Sequence, residues 1–150
     1  MKKYVLSALV SVMMTMPGWA HAQEMPVGQQ VVRPDVAKNV KAYEGPEGIV
    51  VWTLRYGNPA EGKMMVQITD IDHPWNNEIQ LMNVEERGSK KYIHTLVNGE
   101  KFTVIFFNEN GWGELTLPGS HKSMPVYYSQ TYSSMGNAQA FLTDYLASAK

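Results

Sequence analysis

The stretch Lys91–Leu117, KYIHTLVNGEKFTVIFFNENGWGELTL, decides the fold. Two Asn-Gly pairs, Asn98-Gly99 and Asn110-Gly111, divide it into three runs rich in β-branched and aromatic residues. Both central positions of a type I′ turn require positive φ, which Asn and Gly tolerate best, so the stretch predicts a three-stranded antiparallel meander. A two-residue loop at Asn98-Gly99 pairs Val97 with Glu100, Thr95 with Phe102 and Ile93 with Val104. A two-residue loop at Asn110-Gly111 pairs Phe106 with Leu115 and Val104 with Leu117. One apolar face then holds Ile93, Val97, Phe102, Val104, Phe106, Leu115 and Leu117. A loop widened to Asn108–Gly111 slips the pairing by two residues and leaves that face unchanged.

Upstream of the meander, Ile49–Tyr56 alternates as a strand, with Val50, Trp52, Leu54 and Tyr56 on one face and Thr53 and Arg55 on the other. Gly57–Gly62 is a turn-rich connector, and Lys63–Ile71 returns with Met64, Val66 and Ile68 inward. Asp72–Asn77 is a loop, because Pro74 removes a ladder donor. Glu78–Arg87 alternates through Ile79 and Leu81 and then changes phase to Met82 and Val84, which predicts a bulge near Met82-Asn83. In Val31–Gly48, Asp35 is placed to start a short helix carrying Val36, Val40 and Tyr43.

Downstream, Pro118–Ser123 is an exposed loop, and Met124–Tyr132 reads as an edge strand because it contains Pro125. Asn137 then caps a helix whose apolar positions, Ala138, Phe141, Leu142, Tyr145, Leu146 and Ala149, recur at helical spacing. The expected fold is a β-rich α+β domain. It has a mostly antiparallel sheet of about six or seven strands, with the C-terminal helix packed on it. A closed barrel and a two-layer sandwich are the alternatives. Residues 48–150 form this domain, and residues 23–47 form an N-terminal lead-in.

Residues 1–22 read as a cleavable export signal. Lys2 and Lys3 precede an apolar run from Tyr4 to Met16, Pro17-Gly18 ends it, and Ala20-His21-Ala22 is a small-x-small cleavage site. The run is too short for a permanent bilayer span, so no stable membrane insertion is expected after cleavage, and the expected address is the periplasm. Removing Lys2 and Lys3 from 13 basic residues leaves 11 against 14 acidic ones, a net charge near −3. That balance argues against nucleic-acid and anionic-membrane partners, which require clustered basic surface. The absence of Cys excludes disulfides and thiolate metal sites, so packing must supply the stability.

Chemistry is sparsely signalled. Asp70, Asp72 and His73 are close in sequence, and on an extended strand both carboxylates point the same way, making them weak metal candidates. The Gly and Glu of a calcium loop are missing, and a solvated strand end explains the cluster as well. Ser120, His121, Lys122 and Ser123 share a loop, but no serine-elbow, Ser-x-x-Lys or zinc-protease motif accompanies them. No cofactor and no catalytic residue is therefore expected. Trp75, Trp112, Tyr127, Tyr128 and Tyr132 exceed what one core face needs, and Tyr and Trp serve as anchors at interfaces. With the Ser120–Lys122 loop they form the candidate binding set.

The function these features imply is a non-enzymatic exported binding protein. Its expected partner is a protein of the cell envelope, as for an inhibitor or immunity protein of a hydrolase. A binder of a small ligand or glycan, in a pocket lined by Trp52, Tyr92 and Phe107, is the alternative. A hydrolase or metal-binding protein comes third.

Overall fold

Asn98 and Gly99 adopt φ of 52° and 80°, the left-handed pair that a type I′ turn needs. Around this hairpin the computed structural model, which describes residues 32–149, winds eight antiparallel strands into a closed barrel in simple sequence order. These are β1 (Lys41–Glu44), β2 (Val50–Tyr56), β3 (Lys63–Thr69), β4 (Ile79–Arg87), β5 (Lys90–Val97), β6 (Glu100–Phe107), β7 (Trp112–Thr116) and β8 (Ser123–Ser129). Pairing of β1 with β8, at Ala42–Ser129, Tyr43–Tyr128 and Glu44–Tyr127, removes the sheet edges. Two helices follow, α1 (Gln130–Met135) and α2 (Ala138–Ser148), capped by the side chains of Ser129 and Asn137. The proposed leader lies outside the described residues.

Of the two architectures weighed against an open sheet, the closed barrel is the one formed, and it uses more strands than expected. The extra strand is β1. The expected helix from Asp35 does not form: Val36 makes an isolated bridge to Tyr56, and Lys41–Glu44 pairs with β2 and β8. β-branched Val36 and Val40 are poor helix formers, and the β2 ladder satisfies the backbone instead. β8 is not an edge, and its last residues leave the strand for α1. Tyr128 N–H donates to Gly111 O on the β7 side, so by alternation Pro125 turns its missing N–H towards β1, where pairing begins only at Tyr127. The proline therefore breaks no ladder bond.

Two irregularities reset the predicted face of the meander. Ile93 pairs with Ile105 rather than Val104, and His94 then pairs with Thr103, so Val104 is an extra residue in β6. The next loop is odd: Asn108 N–H donates to Trp112 O at 2.9 Å, enclosing Glu109–Gly111 with Gly111 at φ 74°. The pairing therefore slips by a single residue, and Phe106 lies opposite Glu114 on the outside of the barrel. Ile105 and Phe107 take its place inside. Ile93, Val104, Leu115 and Leu117 remain in the core, with Phe102 packed against it.

The barrel carries apolar residues on both sides of β2, β3 and β4. Val51, Val66, Ile68 and Met82 point into the lumen, while Leu54, Met65, Ile79 and Leu81 point outward beneath Phe141 and Leu142 of α2. The phase change in β4 is therefore no bulge. Its pairing with β3 runs unbroken from Ile79–Gln67 to Asn83–Lys63, and the two apolar sets serve two covered faces. Strands of this barrel span 4 to 9 residues, and Glu85, Arg87, Lys101 and Glu114 have outward parity on β4, β6 and β7. A lipid-facing barrel presents an apolar band on strands of about 9–11 residues instead. No helix among the described residues is long and apolar enough to cross a membrane.

Candidate functional site

The two ends of the barrel differ. At the end where β3 turns into β4, the loop at residues 70–77 folds back over the core. Asn77 N–H donates to Ile68 O at 2.9 Å, Asn76 Oδ1 accepts from Ile71 N–H at 3.1 Å, and Trp75 packs on the core cluster. His73 locks this plug. Its Nδ1 accepts from Trp75 N–H at 3.1 Å, leaving Nε2 to donate to Pro118 O at 3.0 Å across the opening.

The opposite end is open. Strand alternation sends one residue of each of β1 to β6 into this mouth: Lys41, Arg55, Met64, Glu86, Lys91 and Phe107. They line three adjoining cavities of about 540, 250 and 380 Å³, with Lys91 common to all of them. The floor is aromatic. Tyr43 stacks on Phe107 with ring centroids 4.2 Å apart, and Tyr128 meets Tyr43 edge-on at 5.9 Å. Gly113, opposite Phe107 in the ladder, leaves room for that ring: a Cβ there would come within 2.5 Å of Phe107 Cδ1. Below the floor, Val51, Ile93 and Ile105 are fully buried, so the mouth is a cup and not a channel.

The cup is cationic. Lys91 pairs with Glu86 at 3.4 Å, and Arg55 reaches Asp35 at 3.4 Å and also donates to Gly57 O. Lys41 makes no ion pair among the described residues. Tyr43 as a residue is only 9% exposed, and burial, helped by the neighbouring Tyr128, raises its pKa from the ordinary 10 to about 12. It therefore stays a neutral hydroxyl, and among the described residues nothing hydrogen-bonds to it.

The residues singled out in the sequence are scattered over this frame. Trp75, His73, Asp70 and Asp72 belong to the plugged end. Asp70 sits at φ 61°, past the end of β3, so the extended geometry expected to align its carboxylate with that of Asp72 does not exist. Both ring nitrogens of His73 are engaged, and no cluster of three potential metal ligands occurs among the described residues. Ser120, His121 and Lys122 form an exposed loop in which Ser120 Oγ accepts from Lys122 N–H at 3.2 Å. Tyr132 packs edge-on against Trp52 outside the barrel, with centroids 5.8 Å apart. Trp112 and Tyr127 pair across β7 and β8 on the outer face. Of the candidate binding set, only Tyr128 lines the cup.

The pocket expected from Trp52, Tyr92 and Phe107 does not assemble, because only Phe107 points into the lumen. Tyr92 lies outside against Phe106, with centroids 5.3 Å apart. His94 also lies off the cup. Its pKa is lowered, first by desolvation and then by Lys101.

Sequence reading missed Lys41, Arg55, Lys91 and Tyr43. The signal was present in their parity: Lys41 shares a face with Tyr43, Arg55 with Val51 and Lys91 with Ile93, so closure of the barrel turns all of them inward. Comparison with protein-family models, curated proteins and solved structures finds no match.

Proposed function

We propose that this chain is a non-enzymatic exported binding protein that holds a small ligand in the open end of its barrel. The observation that carries this reading is the asymmetry of the barrel. One end is stoppered by Trp75 and His73, while the other opens into a cup of about 540 Å³ with an aromatic floor. Eight-stranded barrels enclose a lumen that side chains fill or that admits one small ligand, and pockets for such ligands run from about 300 to 1,000 Å³. The polar groups in the cup are structurally anchored on strands, which suits recognition. Among the described residues no nucleophile–base pair faces the floor, and the reading offered is binding without turnover.

The test is a nuclear magnetic resonance screen of the 15N-labelled chain against small molecules of mixed charge. Binders are expected to shift the amides of Lys41, Arg55, Lys91 and Phe107 together. A screen in which no compound of any charge perturbs that set overturns the reading.

A protein partner in the envelope is the second reading, and one observation favours it. Tyr92, Phe106, Trp112 and the 55%-exposed Tyr127 form an outer aromatic strip beside the same opening, with Arg87 5.1 Å from the Tyr92 ring centroid. Aromatic and Arg side chains are enriched at interface centres. Stoichiometric capture of an envelope protein by the wild-type chain, lost on Tyr127→Ala, tests it.

A further inference from the structure

The cup's own chemistry narrows what it takes. We infer that its ligand is a small organic acid, with an anionic carboxylate or phosphate-ester head held by Lys41, Arg55 and Lys91 and a compact apolar body resting on Phe107 and Tyr43. This rests on the ligand-binding reading above and adds the charge, the size and the orientation of the molecule.

Three observations converge. The first is charge segregation. The whole chain is nearly neutral, with 13 basic and 14 acidic residues, yet the cavities at this end are lined by Lys41, Arg55, Lys63, Lys90 and Lys91 against Glu86 and Glu109, with Asp35 paired to Arg55. These cations stand at the solvated rim, with Lys41 exposed and the Arg55 and Lys91 side chains 28% and 37% exposed, where like charges repel one another. A bound anion relieves that repulsion. Glu86 is committed to Lys91, which leaves Lys41 without an ionic partner among the described residues.

The second observation is the Tyr43 hydroxyl. It belongs to a residue nine-tenths buried, lines two of the adjoining cavities, and finds no hydrogen-bond partner among the described residues. No fully buried side-chain oxygen lacks a partner among the described residues, so this hydroxyl is open to the cup and free to meet a ligand. As a neutral donor lining the same cavities as Lys41 and Lys91, it suits an acceptor oxygen of a ligand.

The third is depth. Val51, Ile93 and Ile105 close the lumen beneath the Tyr43–Phe107 stack, so the apolar body must be short. A ring or a chain of a few carbons fits the cup, whereas a long acyl chain has nowhere to extend.

Calorimetric titration of the full chain, backed by the same amide shifts, tests the inference with matched probes. These are benzoate against benzamide, hexanoate against hexanamide, and phenyl phosphate against phenol. The acids are expected to bind about tenfold or more tightly than their neutral counterparts, with affinity falling as salt is raised. Lys41→Gln is expected to weaken benzoate about tenfold and leave benzamide unchanged, and Tyr43→Phe, which keeps the ring, to weaken the acids alone. Preference for phenyl phosphate over benzoate, or the reverse, assigns the head group. Amides binding as well as acids would overturn the acid inference while leaving the ligand-binding reading intact. If no probe, acidic or neutral, shifts the mouth amides, both fall.

Discussion

Tyr43 of β1 stacks on Phe107 of β6 with ring centroids 4.2 Å apart, and this pair, from strands remote in sequence, separates the packed half of the barrel from the open half. Its position makes one titration visible in stability. Folding raises the Tyr43 pKa from the ordinary 10 to about 12, so the folded state keeps the proton that the unfolded state releases first. The contribution is constant below the unfolded value and is lost as pH rises from 10 towards 12. Over that interval stability should fall by about 1.4 kcal/mol per pH unit on account of this residue alone. Urea unfolding at a series of alkaline pH values checks it. Tyr43→Phe should flatten the curve by that slope, and an unchanged slope would show that the phenol is not held in a buried site.

Gly113 makes the floor possible. An added Cβ would stand 2.5 Å from both Phe106 O and Phe107 Cδ1, so either the β6–β7 ladder spreads or the ring of Phe107 tips into the cup. Gly113→Ala should cost about 1–3 kcal/mol, as overpacking commonly does. Thermal unfolding measures the cost, and altered ring-current shifts of the Tyr43 resonances would locate it. A variant as stable as the parent would mean that the Phe107 ring does not occupy the place described.

The second core tests the role of the C-terminal helix. Leu142 is fully buried against the outer face of the barrel with Leu54 and Met65, so Leu142→Ala should destabilise the fold by about 2–5 kcal/mol. Asn137 Oδ1 accepts from Ala140 N–H at 2.9 Å, and Asn137→Ala should cost about 1 kcal/mol. Denaturant titration checks both. If α2 were an appendage, neither change would move the midpoint of the barrel's own unfolding.

Local chemistry made much of this legible in the sequence. The Asn98-Gly99 turn is a property of two residues that tolerate positive φ, and it was readable without any partner. The same holds for α2, whose apolar spacing and Asn137 cap specify both its face and its start. Alternation likewise grouped the residues of β2 and β3 correctly by face.

Alternation says which residues share a face and not which way that face turns. The Val104 bulge and the three-residue loop at Glu109–Gly111 each shift parity by one, and together they moved Phe106 outside while leaving Leu115 and Leu117 in the core. Those shifts belong to the curvature of a closed sheet, which no single strand records. The cup has the same origin. Lys41, Arg55 and Lys91 are dispersed in the chain and unremarkable one by one, and only the pairing of β1 with β8 closes the ring that turns their charges towards one another.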